Sequence, residues 1–172
     1  MTIPRALRVP VRNSYPRIII VVEGVGQSLK TAKIFYYTGL SLSLLVGLWH
    51  FFVPAMFQWY RYIPGQYENL IVGIDWTNFC FSLLLSGLSL LLLLLGKKTF
   101  SGNKEVILFY GFLALVWLGR VAISFIKPWP LDPIPWVAFG QQAGAICILV
   151  CLLVPLVYVL VRLRIQGRGV KP

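Results

Sequence analysis

The sequence predicts an all-α integral membrane protein, a four-transmembrane-helix bundle, from three observations. The 172 residues are 58% hydrophobic and only 12% charged, whereas a soluble domain carries roughly 25% charge to meet water at its surface. The apolar residues are gathered into four runs of at least about 20 residues, enough at 1.5 Å per residue to cross a hydrocarbon core of roughly 30 Å. None of these runs alternates with a period of two, so helices rather than barrel strands are implied.

Residues 1–33 form a basic N-terminal segment. Pro4, Pro10 and Pro16 break up its first half, since proline lacks the donor a helix interior needs. From Pro16, the run Ile18–Val22 suits a short helix or strand lying on the membrane surface, too short to span it. No short apolar region followed by a small-residue cleavage site is visible, so no cleavable signal peptide is expected.

The first span covers about residues 34–53 and stops at Pro54. The second covers about 76–96 and is ended by Lys97 and Lys98. The third covers about 106–126, is interrupted only by Arg120, and ends at Lys127 and Pro128. The fourth covers about 136–161, with Pro155 as an expected kink, and Arg162 and Arg164 open a basic tail over 162–172.

Charge then sets the orientation. Of sixteen Lys and Arg residues, six lie in the N-terminal segment, three in the second loop (Lys97, Lys98, Lys104) and four in the tail. Only Arg61 and Lys127 lie in the opposite loops, so both termini are expected in the cytoplasm, across a plasma or inner membrane. Trp49, Trp59, Trp76, Trp117, Trp129 and Trp136, with Tyr60, Tyr62 and Tyr67, are expected at the outer headgroup boundary. The net charge of +11 first suggests nucleic acid. The cations flank apolar runs, however, where anionic lipid headgroups attract them, so the bilayer is the expected partner and nucleic acid is not.

Lipid is as apolar as leucine, so helices must associate through close packing at small residues. Gly39, Ser43 and Gly47 repeat every four residues on the first span. Gly140 and Gly144 form a GxxxG on the fourth, with Cys147 and Cys151 continuing at helical spacing. On the second, Asp75, Asn78, Ser82, Ser86 and Ser89 fall within about 80° on a helical wheel, against faces of nearly continuous leucine. That stripe faces the bundle or a polar cavity. Interhelical hydrogen bonding is the plainer reading, and a transport path the sharper one.

Ionisable groups within a membrane are functional candidates because they are costly there. His50 lies about 5 Å inside the outer end of the first span. Asp75 opens the second, with Asn78 one turn deeper. Arg120 lies about 9 Å below the outer end of the third, and Gln141 about 7 Å inside the fourth. These five residues are the ligand-binding candidates, all in the outer leaflet. A buried guanidinium needs an anion, and Asp75 is the acid that begins a span on that side, so an Asp75–Arg120 pair is expected. A polar clamp between helices, or an Arg120 reaching up to the headgroups, is the structural alternative.

Other signals carry less. Glu23–Thr31 lacks the glycine before its lysine that a phosphate loop requires. Three cysteines, all within apolar runs, argue against a disulfide framework. Cys147 and Cys151 without further Cys or His make a poor metal site, and packing explains them. The single histidine excludes a bis-histidine haem within one chain, while one axial ligand to a pigment or shared haem stays open.

The stretch Gly47-Leu-Trp-His-Phe-Phe-Val-Pro-Ala-Met-Phe-Gln-Trp-Tyr-Arg-Tyr-Ile-Pro64, followed by three more spans, resembles small DoxX-like membrane proteins. The resemblance covers the pattern of spans, and no functional residue of that family is matched to a position here. It implies a four-helix bundle and, for some members, quinone or redox functions.

Three roles follow. The first is a non-enzymatic subunit or assembly partner, associating with other membrane subunits or with itself. The second is a binding protein or enzyme for a lipid, quinone or pigment at the outer-leaflet pocket. The third is a small transporter, which ranks last because no carboxylate lies at the midplane.

Overall fold

We describe a computed structural model covering the backbone of residues 15–129 and 135–168, with side chains over 27–129 and 136–167. Residues 1–14 of the basic N-terminal segment, 130–134 of the last loop and 169–172 of the tail lie outside the described residues. The elements are α1 (Tyr15–His50), α2 (Val53–Met56), two 3-10 turns (Trp59–Tyr62 and Gly65–Tyr67), α3 (Glu68–Leu94), α4 (Gly96–Phe100), α5 (Lys104–Ile126) and α6 (Pro135–Arg168). Among the described residues there is no strand. Four stretches are long and apolar enough to cross a membrane: Gln27–His50, Gly65–Leu94, Lys104–Ile126 and Trp136–Gly167. The fold is that of an integral membrane protein, a bundle of four apolar helices.

The helices outlast the apolar runs that announce them. α1 continues back through Lys33 and Lys30 to Tyr15, so the short surface element expected from Pro16 is part of one long helix. α3 starts at Glu68, about two turns before the expected opening at Trp76, and α6 passes Arg162 and Arg164 without a break. Backbone hydrogen bonding is as good in the headgroup layer as in hydrocarbon, and long basic side chains reach water from either place. Charge therefore marks the membrane boundary, not the helix end.

α1 is central. It packs along both α3 and α6, α5 packs on α6, and α3 and α5 touch more sparingly. Small residues set the two close approaches of α1. A Cβ added at Gly47 would lie 2.7 Å from Ser86 N on α3, and one added at Gly39 would lie 2.9 Å from Cys151 Cβ on α6. Ser43 lies between them and is fully buried with Ser82 and Ser89. Ser82, Ser86 and Ser89 each donate to the carbonyl one turn earlier, at 2.6–2.7 Å. Their hydroxyls are thus satisfied within α3, and the helices can approach at little polar cost.

Tyrosines close the end of the bundle near α4. The Tyr36 hydroxyl donates to the Leu92 carbonyl in the last turn of α3, at 2.6 Å, and lies 3.0 Å from Thr99 Oγ1. Tyr110 donates to the Leu152 carbonyl at 2.8 Å, three residues before the buried Pro155, whose missing N–H leaves the Cys151 carbonyl without its usual backbone donor. Asn103 caps α5 by accepting from Val106 N at 3.0 Å. This end is filled with side chains, and the other is not.

Candidate functional site

At the α2 end the bundle is hollow. A cavity of about 680 Å³ is walled by all four long helices and roofed by Met56 and Phe57, a volume suited to one small ligand. Its floor is Leu85, Trp117, Ala145 and Ile148. Toward the chain loops lies a second cavity of about 460 Å³, with Ser124, Lys127, Trp129 and Gln142 on its wall. The two share Trp49, His50, Arg120 and Gln141. That polar ring is their common boundary, with an apolar chamber below and a more polar one above.

Gly140 and Gly144 explain why the chamber exists. They were expected to draw another helix against α6, yet a Cβ at either would meet nothing within 4 Å. Both line the larger cavity. Their lack of side chains leaves room instead of making a contact. Farther along α6, Cys151 is buried and packs against Gly39, while Cys147 is exposed.

Three of the five candidate residues converge. Arg120 Nη2 donates to Gln141 Oε1 at 3.3 Å, joining α5 to α6. His50 Nδ1 lies 2.8 Å from the Val46 carbonyl. A carbonyl only accepts, so Nδ1 carries a proton in this contact, and the ring lines both cavities.

The other two lie elsewhere. Asp75 is exposed on α3 and, with Asn78, Phe51 and Tyr60, lines a third cavity of about 490 Å³. Asn78 Nδ2 donates to the His50 carbonyl at 2.8 Å, satisfying a backbone group that the end of α1 leaves free. The expected Asp75–Arg120 pair does not form. Asp75 accepts from the Tyr60 hydroxyl and Arg120 engages Gln141. The two residues lie at similar depth but on different walls. That hydrogen bond to the carboxylate, reinforced by burial and the negative charge, pushes the Tyr60 pKa up to about 12.

Several residues of the site are not among the candidates that the sequence suggests. Trp117, expected at the headgroup boundary, is 4% exposed and donates to Ser43 Oγ at 2.9 Å. The spacing of Val106, Tyr110, Leu113, Trp117 and Val121 would have placed it inward, since all five are buried on one face of α5. Trp49 Nε1 donates to Met56 Sδ at 3.2 Å, and the Phe57 ring packs tilted against Trp129, with centroids 5.8 Å apart. Together these contacts hold α2 over the cavity as a roof. Ser124 contacts both the Val121 carbonyl and the Gln142 amide. Gln142 turns Oε1 to the Ser124 hydroxyl and buries Nε2 without a hydrogen-bond partner.

Comparison of the chain with protein-family models, with curated proteins and with solved structures finds no match. The class of the protein therefore rests on its own geometry: four membrane-spanning helices with a polar-ringed cavity at one end.

Proposed function

We propose that this protein is a non-enzymatic membrane protein that binds one amphiphile, of lipid, quinone or pigment type, in the cavity at the α2 end. The observation that carries this reading is the Arg120 guanidinium, on the wall of a largely apolar chamber with Gln141 as its one hydrogen-bond partner among the described residues. An arginine with donors to spare in a low-dielectric site calls for an acceptor from a ligand. The apolar floor below the ring suits a tail. From Gln141 to Ile148 is seven residues of α6, about 10 Å. The charge bias of the loops supports cytoplasmic termini, which puts the cavity in the opposite leaflet.

Purification in mild detergent, with native mass spectrometry and an absorption spectrum on the same sample, tests the reading. One small molecule per chain is expected, lost in Gly144→Phe, whose ring would fill the chamber. A bare chain, or other subunits bound with no small molecule, would instead favour a structural subunit.

A further inference from the structure

Building on the amphiphile reading, we infer that the occupant carries an anionic headgroup, a phosphate or a carboxylate, seated between Arg120 and Lys127 with its tail in the larger cavity. Among the described residues, the charges on the two chambers are all of one sign: Arg120 lines both, Lys127 lines the upper one, and no carboxylate lines either. Asp75, on the flank of α3, is engaged by Tyr60 in a separate cavity, and Glu68, in the first turn of α3, lines neither chamber.

Arg120 and Lys127 are seven residues apart, and Lys127 directly follows the end of α5. Two turns of helix return to the same face, so they stand about 10 Å apart along one wall. Ser124 lies between them, also on the upper cavity. Arg120 is half-buried and Lys127 exposed. An anion descending from the surface thus meets an exposed cation first and a half-buried, forked one second.

Neutral headgroups leave this arrangement unused. The Gln141 amide, with both a donor and an acceptor end, suffices to bond a hydroxyl or a quinone carbonyl. A guanidinium that meets only a neutral amide, at 3.3 Å, keeps most of its donors free, and these bond best to an ionised acceptor.

Matched pairs that differ only in charge provide the test: oleate against oleyl alcohol, and oleoyl lysophosphatidic acid against mono-oleoylglycerol. Each is offered to the full chain in mild detergent at pH 8 and counted by native mass spectrometry. The anionic member of each pair should be retained about tenfold better, the scale of one charge-assisted hydrogen bond. Arg120→Gln should bring each pair to near parity, Arg120→Lys should restore part of the preference, and Gly144→Phe should abolish retention of all four. Lys127→Gln, outside the spans, should lower the preference about threefold even if Arg120→Gln fails to fold. Equal retention of charged and uncharged members would overturn the anionic assignment while leaving the amphiphile reading standing. Retention of none would sink both. Displacement of lysophosphatidic acid by inorganic phosphate at equal concentration would show that a free anion is the ligand, and would overturn the lipid assignment.

Discussion

The indole nitrogen of Trp117 donates to Ser43 Oγ at 2.9 Å. Because Ser89 gives its own proton to the Leu85 carbonyl, the 2.8 Å contact between Ser43 and Ser89 has one possible direction, with Ser43 donating. The chain therefore runs Trp117 to Ser43 to Ser89 to Leu85, from α5 through α1 to α3. It joins three helices directly beneath the cavity floor. A fully satisfied polar chain in an apolar interior fixes how helices are rotated against one another, which leucine packing alone does not.

Ser43→Ala should then cost about 1–3 kcal/mol, because it strands the buried Trp117 N–H. Trp117→Phe removes the donor itself and should cost less for the hydrogen bond. The double variant should be more stable than the sum of the two losses predicts, by about 0.6–1.7 kcal/mol. Reversible unfolding in mixed micelles measures all three, and strict additivity would mean that the contact carries no energy.

The glycines separate into two kinds. Gly39→Ala and Gly47→Ala push a methyl into Cys151 and into the Ser86 backbone, and overpacking of this sort costs about 1–3 kcal/mol. Gly140→Ala and Gly144→Ala meet open space, and should raise stability by up to about 1 kcal/mol through helix propensity. The same unfolding assay reads both. Destabilisation by Gly144→Ala would show that another surface covers that face in the membrane.

These contrasts mark how far the sequence carries. Four apolar runs made the bundle legible, since lipid leaves the backbone few alternatives. The Gly39–Ser43–Gly47 stripe was legible for the same reason that Gly140–Gly144 misled. Spacing places residues on a common face but does not say what stands opposite. Asp75 and Arg120 share a depth, which rise per residue supplies, but not a wall, which depends on the order of helices around the bundle. Trp117 was assigned by composition, as a tryptophan near a span end, although its neighbours at helical spacing are all core residues.

Asp75 and Arg120 should consequently behave as independent sites. Alanine at both should change stability by the sum of the single effects, within about 0.5 kcal/mol. Asn78→Ala should be the costlier change on α3, about 1–3 kcal/mol, because it strands the His50 carbonyl. A coupling well above that limit between Asp75 and Arg120 would restore the ion pair that the structure lacks.

The Tyr60–Asp75 hydrogen bond ties the loop between α1 and α3 to the flank of α3, and its pH dependence follows from sign. The neutral phenol is the form that the carboxylate holds, so the folded pKa, about 12, lies above the unfolded value near 10. Below pH 10 both states keep the proton and the full contribution is present. Between 10 and 12 the unfolded state releases its proton first, so stability falls as pH rises through that window. Limited proteolysis of residues 57–67 should accelerate over this range in the native protein. In Tyr60→Phe the loop should be cut faster at neutral pH, with no further step between 10 and 12 from this position. An unchanged profile in Tyr60→Phe would show that the loop is held by its aromatic contacts, Phe57 on Trp129 among them, and not by the hydroxyl.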